Sequence, residues 1–216
     1  MVRNSFALKL HPGKLYDFGQ ILGKNWNVIT ERLDACGFRN FSLWNADDLL
    51  FGYFESDHEL SELKPGDRAF FEELDSRFDG CYDWISEPFK PMRLMYQDFG
   101  IVRESKGLIR HRVFMTKLVP GSEEEYKRRH DALVEARNGA ITPGPDSNFS
   151  IWNAGGYIFG YDEIDTTMEH ERTEADRQAD IAWETRMLEI MSWITDDVDW
   201  ITGDHHSHVK RICWHG

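Results

Sequence analysis

The chain has 216 residues, a formal net charge of −13 and a sequence pI near 5.1. This acidity argues against a nucleic-acid partner, because phosphate backbones are bound by clustered Lys and Arg. There is no apolar run of 18 residues and no recognisable signal peptide, so we expect a cytoplasmic protein without a membrane partner. Cys36, Cys81 and Cys213 are odd in number and lack C-x-x-C spacing, which predicts reduced thiols.

The first half of the chain predicts a strand, a helix and a hairpin in that order. Residues 5–10 form a short apolar run that ends at a Pro-Gly turn, as strands often do. A helix is expected over 13–33. The apolar segment 40–55 then reads as two paired strands, and 93–102 is expected to form the last strand of this half.

The second half predicts the same order of elements. An apolar strand at 112–118 again ends at Pro-Gly, and a helix follows at 122–137. Ser122 and Glu125 have the spacing of a capping box at its start. Two strands joined by Gly-Gly follow over 148–161. A second helix is then predicted at 173–194 and a last strand at 208–214. The sequence Asp-Trp-Ile occurs at 83–85 and again at 199–201, and it is expected to end the second helix of each half.

The two halves repeat each other in sequence. Residues 40–55 align with 148–163, an offset of 108, and residues 6–13 align with 114–121 at the same offset. The repeat predicts two domains, 1–102 and 108–216, joined by a short polar linker. Each repeat has the β-α-β-β-α-β order of a ferredoxin-like module. We therefore predict an α+β fold in which two such modules pack together within one chain.

A pair of titratable side chains distinguishes the second repeat from the first. Tyr126 and His130 are four residues apart, so they share one face of the predicted helix. That face is expected to point toward the sheet, because Leu133 and Val134 continue the stripe. The equivalent positions of the first repeat hold Phe18 and Leu22. A histidine can exchange a proton near neutral pH, but a structural helix histidine is the more common case for this spacing alone.

Several segments of the second repeat resemble the L-rhamnose mutarotase family in order and spacing: residues 114–118, Tyr126-Lys-Arg-Arg-His-Asp131, Asn148-Phe-Ser-Ile151, Phe159, Glu163 and Ala182-Trp183. The resemblance implies ferredoxin-like modules that pair as a dimeric α/β barrel. It also implies an isomerase that interconverts the α and β anomers of a deoxyhexose and needs no metal and no cofactor. The first repeat, with an apolar pair at the chemical positions, is then the structural partner.

The resemblance also assigns roles to single residues. His130 falls on the catalytic position, described as the proton donor, and Tyr126 on a catalytic, sugar-contacting tyrosine. Phe149 occupies a second tyrosine position of the substrate site, and Trp183 is the surviving member of a tryptophan pair whose first position holds Ala182. These two replacements suggest a changed sugar or a reduced activity, because one hydroxyl is lost and one wall of the pocket is expected to widen.

The sequence therefore predicts an aldose mutarotase that acts on L-rhamnose or a similar 6-deoxyhexose. One working site is expected, in the second repeat, with a monosaccharide as the only partner. The monomer is expected to be a complete pseudo-dimer, and higher assembly remains open. Two alternatives are a non-catalytic sugar-binding module and a cofactor-free monooxygenase or isomerase on the same fold, because one fold hosts many chemistries.

Overall fold

The computed structural model describes residues 1–141, 143–195 and 205–216. The chain forms two compact units. The first unit comprises Met1–Met92 and Lys210–Gly216, and the second unit comprises Arg93–Val209. Within these described residues, each unit contains one sheet and two α-helices. The elements are, in chain order, β1 (Val2–Leu10), α1 (Leu15–Ala35), β2 (Arg39–Ala46), β3 (Leu49–Ser56), α2 (Pro65–Ser76), β4 (Tyr82–Trp84), β5 (Arg93–Asp98), β6 (Ile109–Leu118), α3 (Glu123–Arg137), β7 (Asp146–Ala154), β8 (Tyr157–Asp165), α4 (Glu174–Met187), β9 (Met191–Trp193) and β10 (Lys210–His215).

Both sheets have five antiparallel strands in equivalent order. The first unit has the order β10-β2-β3-β1-β4, and the second unit has β5-β7-β8-β6-β9. The central registers correspond at the offset of the repeat, since Ala7 pairs with Phe51 and Met115 pairs with Phe159. This confirms the predicted α+β fold and its ferredoxin-like order of elements. The packing of the two modules into one barrel stays a prediction.

The last strand of each repeat belongs to the sheet of the other repeat. Strand β5, from the first repeat, pairs with β7, and strand β10, from the second repeat, pairs with β2. The compact units therefore do not coincide with the predicted domains 1–102 and 108–216. The expected linker is also part of the second unit, because Arg103 forms an ion pair with Asp165 at 3.3 Å and Lys106 pairs with Glu163 at 2.6 Å.

The second helix of the second repeat is shorter than predicted. It ends at Met187, and Met191–Trp193 instead pair with β6 as strand β9. The matching segment of the first repeat, Tyr82–Trp84, forms β4 in the same way, where we expected the end of a helix. The second copy of Asp-Trp-Ile, at 199–201, lies outside the described residues.

The start of α3 also differs from the prediction, because the capping box at Ser122 does not form. The Ser122 hydroxyl donates to the carbonyl oxygens of Val119 and Ile190, at 2.6 and 3.0 Å. A capping box instead starts α4. There the Asp176 backbone N–H donates to Thr173 Oγ1 at 3.2 Å, and the Thr173 N–H donates to Asp176 Oδ2 at 3.0 Å. Each bond satisfies a donor that the first helical turn leaves unpaired.

A glycine in the central strand of each sheet allows a phenylalanine to cross it. A Cβ atom on Gly52 would lie 2.1 Å from the ring of Phe6, and one on Gly160 would lie 2.0 Å from the ring of Phe114. Both distances are far below van der Waals contact, so any larger residue would displace the ring. This requirement explains why Phe-Gly-Tyr appears in both repeats. The three cysteines are free thiols, as predicted.

Candidate active site

Helix α3 buries Tyr126 and His130 against the sheet of the second unit. Their side chains are 2% and 4% exposed, and the two rings stack with centroids 4.3 Å apart and planes 25° apart. They are the two buried residues of this helix. The expectation that Leu133 and Val134 continue the buried stripe is wrong, since they are 37% and 41% exposed.

One nitrogen of His130 is held by the backbone of its own helix. His130 Nδ1 lies 3.0 Å from the carbonyl oxygen of Tyr126. A carbonyl only accepts, so Nδ1 carries the proton of the neutral ring and Nε2 carries the lone pair. Burial lowers the pKa of His130 from 6.5 to about 4, although the carbonyl and the nearby Asp131 act in the opposite direction. His130 is therefore neutral at neutral pH.

The pair faces a cavity of about 240 Å³ in the second unit. This volume is slightly below the range of drug-sized pockets, about 300–1,000 Å³, and suits a small ligand. All four predicted site residues line this cavity. The lining residues are Tyr96, Arg112, Phe114, Tyr126, His130, Leu133, Phe149, Ile151, Arg172, Asp180, Trp183, Glu184, Met187, Met191 and Trp193.

Aromatic side chains surround the imidazole. The indole of Trp183 meets the His130 ring edge-on, with centroids 5.1 Å apart and planes at 87°. The ring of Phe149 lies 5.4 Å from that of Tyr96. Ala182, by contrast, is exposed and does not line the cavity, so its predicted effect on the cavity wall stays a prediction.

Tyr96 is a cavity residue that the sequence reasoning missed. Its ring lies 5.2 Å from that of His130, at 60°. It belongs to β5 in the first repeat and reaches the second unit because that strand pairs with β7. Burial raises the pKa of Tyr96, so its phenol keeps its proton and can donate a hydrogen bond. Tyr96 therefore places a phenol next to Phe149. The resemblance to the L-rhamnose mutarotase family implies a tyrosine at the position of Phe149.

A carboxylate beside Trp183 was also missed. Glu184 is buried and accepts a hydrogen bond from the indole N–H of Trp193. The first unit has the same pair, because Trp84 Nε1 donates to the Asp75 oxygens at 3.2 and 3.3 Å. The tryptophans of the two pairs, Trp84 and Trp193, are 109 residues apart, whereas the central strands of the two repeats align at an offset of 108. Because of this one additional residue, the sequence repeat did not align the two pairs.

A second polar group lies on the same face of the sheet. Arg112 lines the cavity and is the cross-strand partner of Asp162, which is 3% exposed. Among the described residues, Asp162 Oδ1 has no hydrogen-bond partner. Burial raises the pKa of Asp162 to about 8, and the nearby Asp146 adds to the shift while Arg112 opposes it. Asp162 is therefore largely protonated at neutral pH.

The described part of the chain offers neither a cluster of metal ligands nor a membrane-spanning helix. It contains no group of three His, Cys, Asp or Glu side chains placed to hold a metal ion. Within the same residues, no helix is long and apolar enough to cross a membrane.

Comparison with known proteins gives one family and two structural likenesses. The family model of L-rhamnose mutarotase matches residues 111–212. No curated protein matches the chain. A candidate monooxygenase from Fusobacterium nucleatum subsp. nucleatum ATCC 25586 is 7% identical, with 99% of this chain and 93% of that chain covered and a TM-score of 0.48. An anthrone oxidase-like protein is 12% identical, with 97% and 93% covered and a TM-score of 0.45.

Because both identities are low and both TM-scores are under 0.5, the activity of neither protein is assigned to this chain. The family match has a different standing, because it spans the strand, the Tyr126–His130 helix and the tryptophan that together line one cavity. Residues 111–212 are therefore similar in sequence to the L-rhamnose mutarotase family.

Proposed function

We propose that the second unit is an aldose mutarotase that acts on L-rhamnose or a similar 6-deoxyhexose. The observation that carries the proposal is the protonation and placement of His130. Its imidazole is neutral, and its Nδ1 is fixed by the Tyr126 carbonyl. The ring lines a cavity with aromatic walls. The family match over residues 111–212 supports the same activity.

Mutarotation requires one proton to leave the sugar and one to arrive. Nε2 of His130 accepts the proton of the anomeric hydroxyl while the bond between C1 and the ring oxygen breaks. The ring oxygen takes a proton from a neutral donor, for which the buried Tyr126 hydroxyl or a water is suited. The open-chain aldehyde rotates about its C1–C2 bond, and the ring oxygen then adds to the opposite face of C1. In this closing step the imidazolium returns its proton to O1, and the other donor recovers its own.

The protonation state of His130 refines the role that the resemblance implies. A histidine with a pKa of about 4 starts the cycle as a base, and it becomes a proton donor only after it has taken the proton of the anomeric hydroxyl. General acid–base catalysis of this kind accelerates reactions by about 10²–10⁴-fold. The Tyr126 hydroxyl is protonated in the resting site, because burial raises its pKa above the ordinary value, so its proton is available to the ring oxygen.

The cavity walls suit a monosaccharide. The indole of Trp183 and the ring of Tyr96 both contact the His130 ring edge-on. A flat aromatic face can cover the apolar C–H face of a pyranose and exclude water. The phenol of Tyr96 adds a hydrogen-bond donor. Arg112 provides a further polar contact at the sheet.

The direct test is anomer exchange of L-rhamnose, measured by saturation-transfer NMR with and without protein. Faster exchange that is lost in His130→Ala supports the mutarotase. Binding of the sugar without faster exchange identifies a sugar-binding module instead. Neither binding nor faster exchange, over a panel of 6-deoxyhexoses and other aldoses, rejects the proposal and leaves another enzyme of this fold, such as a cofactor-free monooxygenase or isomerase.

A further inference from the structure

The first unit contains a cavity of its own, of about 170 Å³, at the position equivalent to the candidate active site. Equivalent residues line the two cavities at offsets of 108 or 109. The matched lining residues are Phe6 and Phe114, Phe18 and Tyr126, Leu22 and His130, Phe41 and Phe149, Asp75 and Glu184, and Trp84 and Trp193. The duplication therefore kept a cavity in the first unit.

The chemistry of this cavity differs from that of the second unit. Leu22 replaces the histidine and Phe18 replaces the tyrosine. Phe38 and Phe54, whose ring centroids lie 4.8 Å apart with the planes tilted by 41°, stand at the positions of Asp146 and Asp162. Each change replaces a polar group with an apolar one. The cavity walls consist mostly of aromatic and aliphatic side chains.

The carboxylate that remains is already occupied by protein donors. Asp75 accepts hydrogen bonds from the Tyr82 hydroxyl and from Trp84 Nε1. Of the other polar lining residues, Lys90 lies at the exposed side of the cavity and Ser5 offers a single buried hydroxyl. A sugar placed here would lose its hydrogen bonds to water and recover few of them, which is costly. The lining instead favours an apolar ligand.

The rim of this cavity holds a bulky residue in an unusual backbone conformation. Phe89 lines the cavity and has φ 58°, whereas the other positive-φ residues besides glycine in the described chain are Asn or Asp. A left-handed conformation is unfavourable for a bulky residue. The Phe89 ring lies 5.8 Å from that of Trp84. Through this contact the Phe89 ring is held at the cavity, although the backbone conformation of Phe89 is unfavourable.

We propose that the first unit binds a small uncharged ring compound, of the size of benzene or toluene, in this cavity. An apolar cavity of about 150 Å³ in another protein accepts benzene, so the volume here is sufficient. A cavity lowers stability when nothing fills it, because its lining atoms make fewer contacts. The inference concerns the first unit alone and does not rest on the mutarotase proposal.

Toluene is the probe for the test, and glycerol is the polar control. Titration followed by NMR should show saturable binding of one toluene per chain and none of glycerol. Nuclear Overhauser contacts should connect the toluene protons with the methyl groups of Leu22 and Ile29, which both line the cavity. Absence of saturable binding, or contacts only with residues of the second unit, would overturn the proposal.

Two variants locate the site independently. Leu22→Phe fills part of the cavity and should weaken toluene binding by about tenfold or more, with the circular dichroism spectrum unchanged. Trp183→Leu alters the other cavity and should leave toluene affinity as in the wild type. Binding that is lost in Trp183→Leu but kept in Leu22→Phe would place toluene in the second unit and reject the proposal. If Leu22→Phe does not fold, the contacts measured in the wild-type protein decide.

Discussion

Tyr96 and His130 come from different sequence repeats, yet their rings lie 5.2 Å apart and line one cavity. Tyr96 reaches that cavity because strand β5 pairs with β7. The candidate site is therefore built from both repeats, although its acid–base pair comes from the second repeat alone.

The Tyr96 phenol is expected to contribute to substrate binding. Tyr96→Phe keeps the aromatic wall and removes one hydrogen-bond donor, so we expect KM for the sugar to rise by about 3–10-fold, the worth of one hydrogen bond. The value of kcat should change less than KM. Anomer-exchange rates over a range of sugar concentrations measure both. Unchanged kinetics would show that the phenol does not contact the sugar.

His130 is expected to carry the proton transfer. His130→Ala should slow catalysed anomer exchange by about 10²–10⁴-fold, the usual contribution of a positioned acid or base. Tyr126→Phe is the matched, milder change, since it removes one hydroxyl and keeps the stacked ring. Circular dichroism controls for folding in both variants. A His130→Ala protein that exchanges anomers at the wild-type rate would remove the proposed mechanism.

The pH profile should report the lowered pKa of His130. A base is active in its unprotonated form, and burial lowers the pKa of this histidine to about 4. Activity should therefore stay level as the pH falls through 6.5, and it should drop only below about pH 4 to 5. Initial rates of exchange, corrected for the uncatalysed reaction at each pH, provide the profile. Half-maximal activity near pH 6.5 would contradict the neutral, buried imidazole.

Asp162 should make the protein less stable as the pH rises. Its pKa is raised from 3.8 to about 8 in the folded state, so the folded state binds more protons than the unfolded state between these values. The free energy of unfolding therefore falls across this range. Asp162→Asn removes the titrating group. The variant should match the wild type near pH 4 and exceed it by about 2–5 kcal/mol at pH 8.

Urea unfolding of both proteins at several pH values measures this difference. Asp146→Asn is the control, because Asp146 raises the pKa of Asp162. It should give a smaller gain of the same sign. A difference between Asp162→Asn and the wild type that does not change with pH would show that Asp162 is not protonated in the folded state.

The first unit should contribute stability but no acid–base chemistry. Leu22 is buried in its core, at the position equivalent to His130. Leu22→Ala should lower the free energy of unfolding by about 2–5 kcal/mol, with anomer exchange by the folded protein near the wild-type rate. Sugar titration should give one site per chain. Two equivalent sugar sites would contradict the view that only the second unit acts on sugar.

The sequence was most informative where a local pattern determines the structure. The repeated Asn-Phe-Ser segments form the predicted hairpins, and the spacing of Tyr126 and His130 placed both on one helical face, as found. Tyr96 could not be predicted in the same way, because its position depends on which sheet β5 joins. Strand pairing over such distances leaves no local signal. The Glu184–Trp193 pair was hidden by a change of one residue in the offset of the repeat.

The exchange of strands has a consequence for how the protein is made. Strand β10 follows the other strands of the second repeat in the chain, and it completes the sheet that β1 begins. The first sheet thus remains one strand short until the second repeat has been synthesised. The second sheet has no such delay, since β5 is synthesised before its partner β7. The half of the protein that is translated first is therefore the last to be finished.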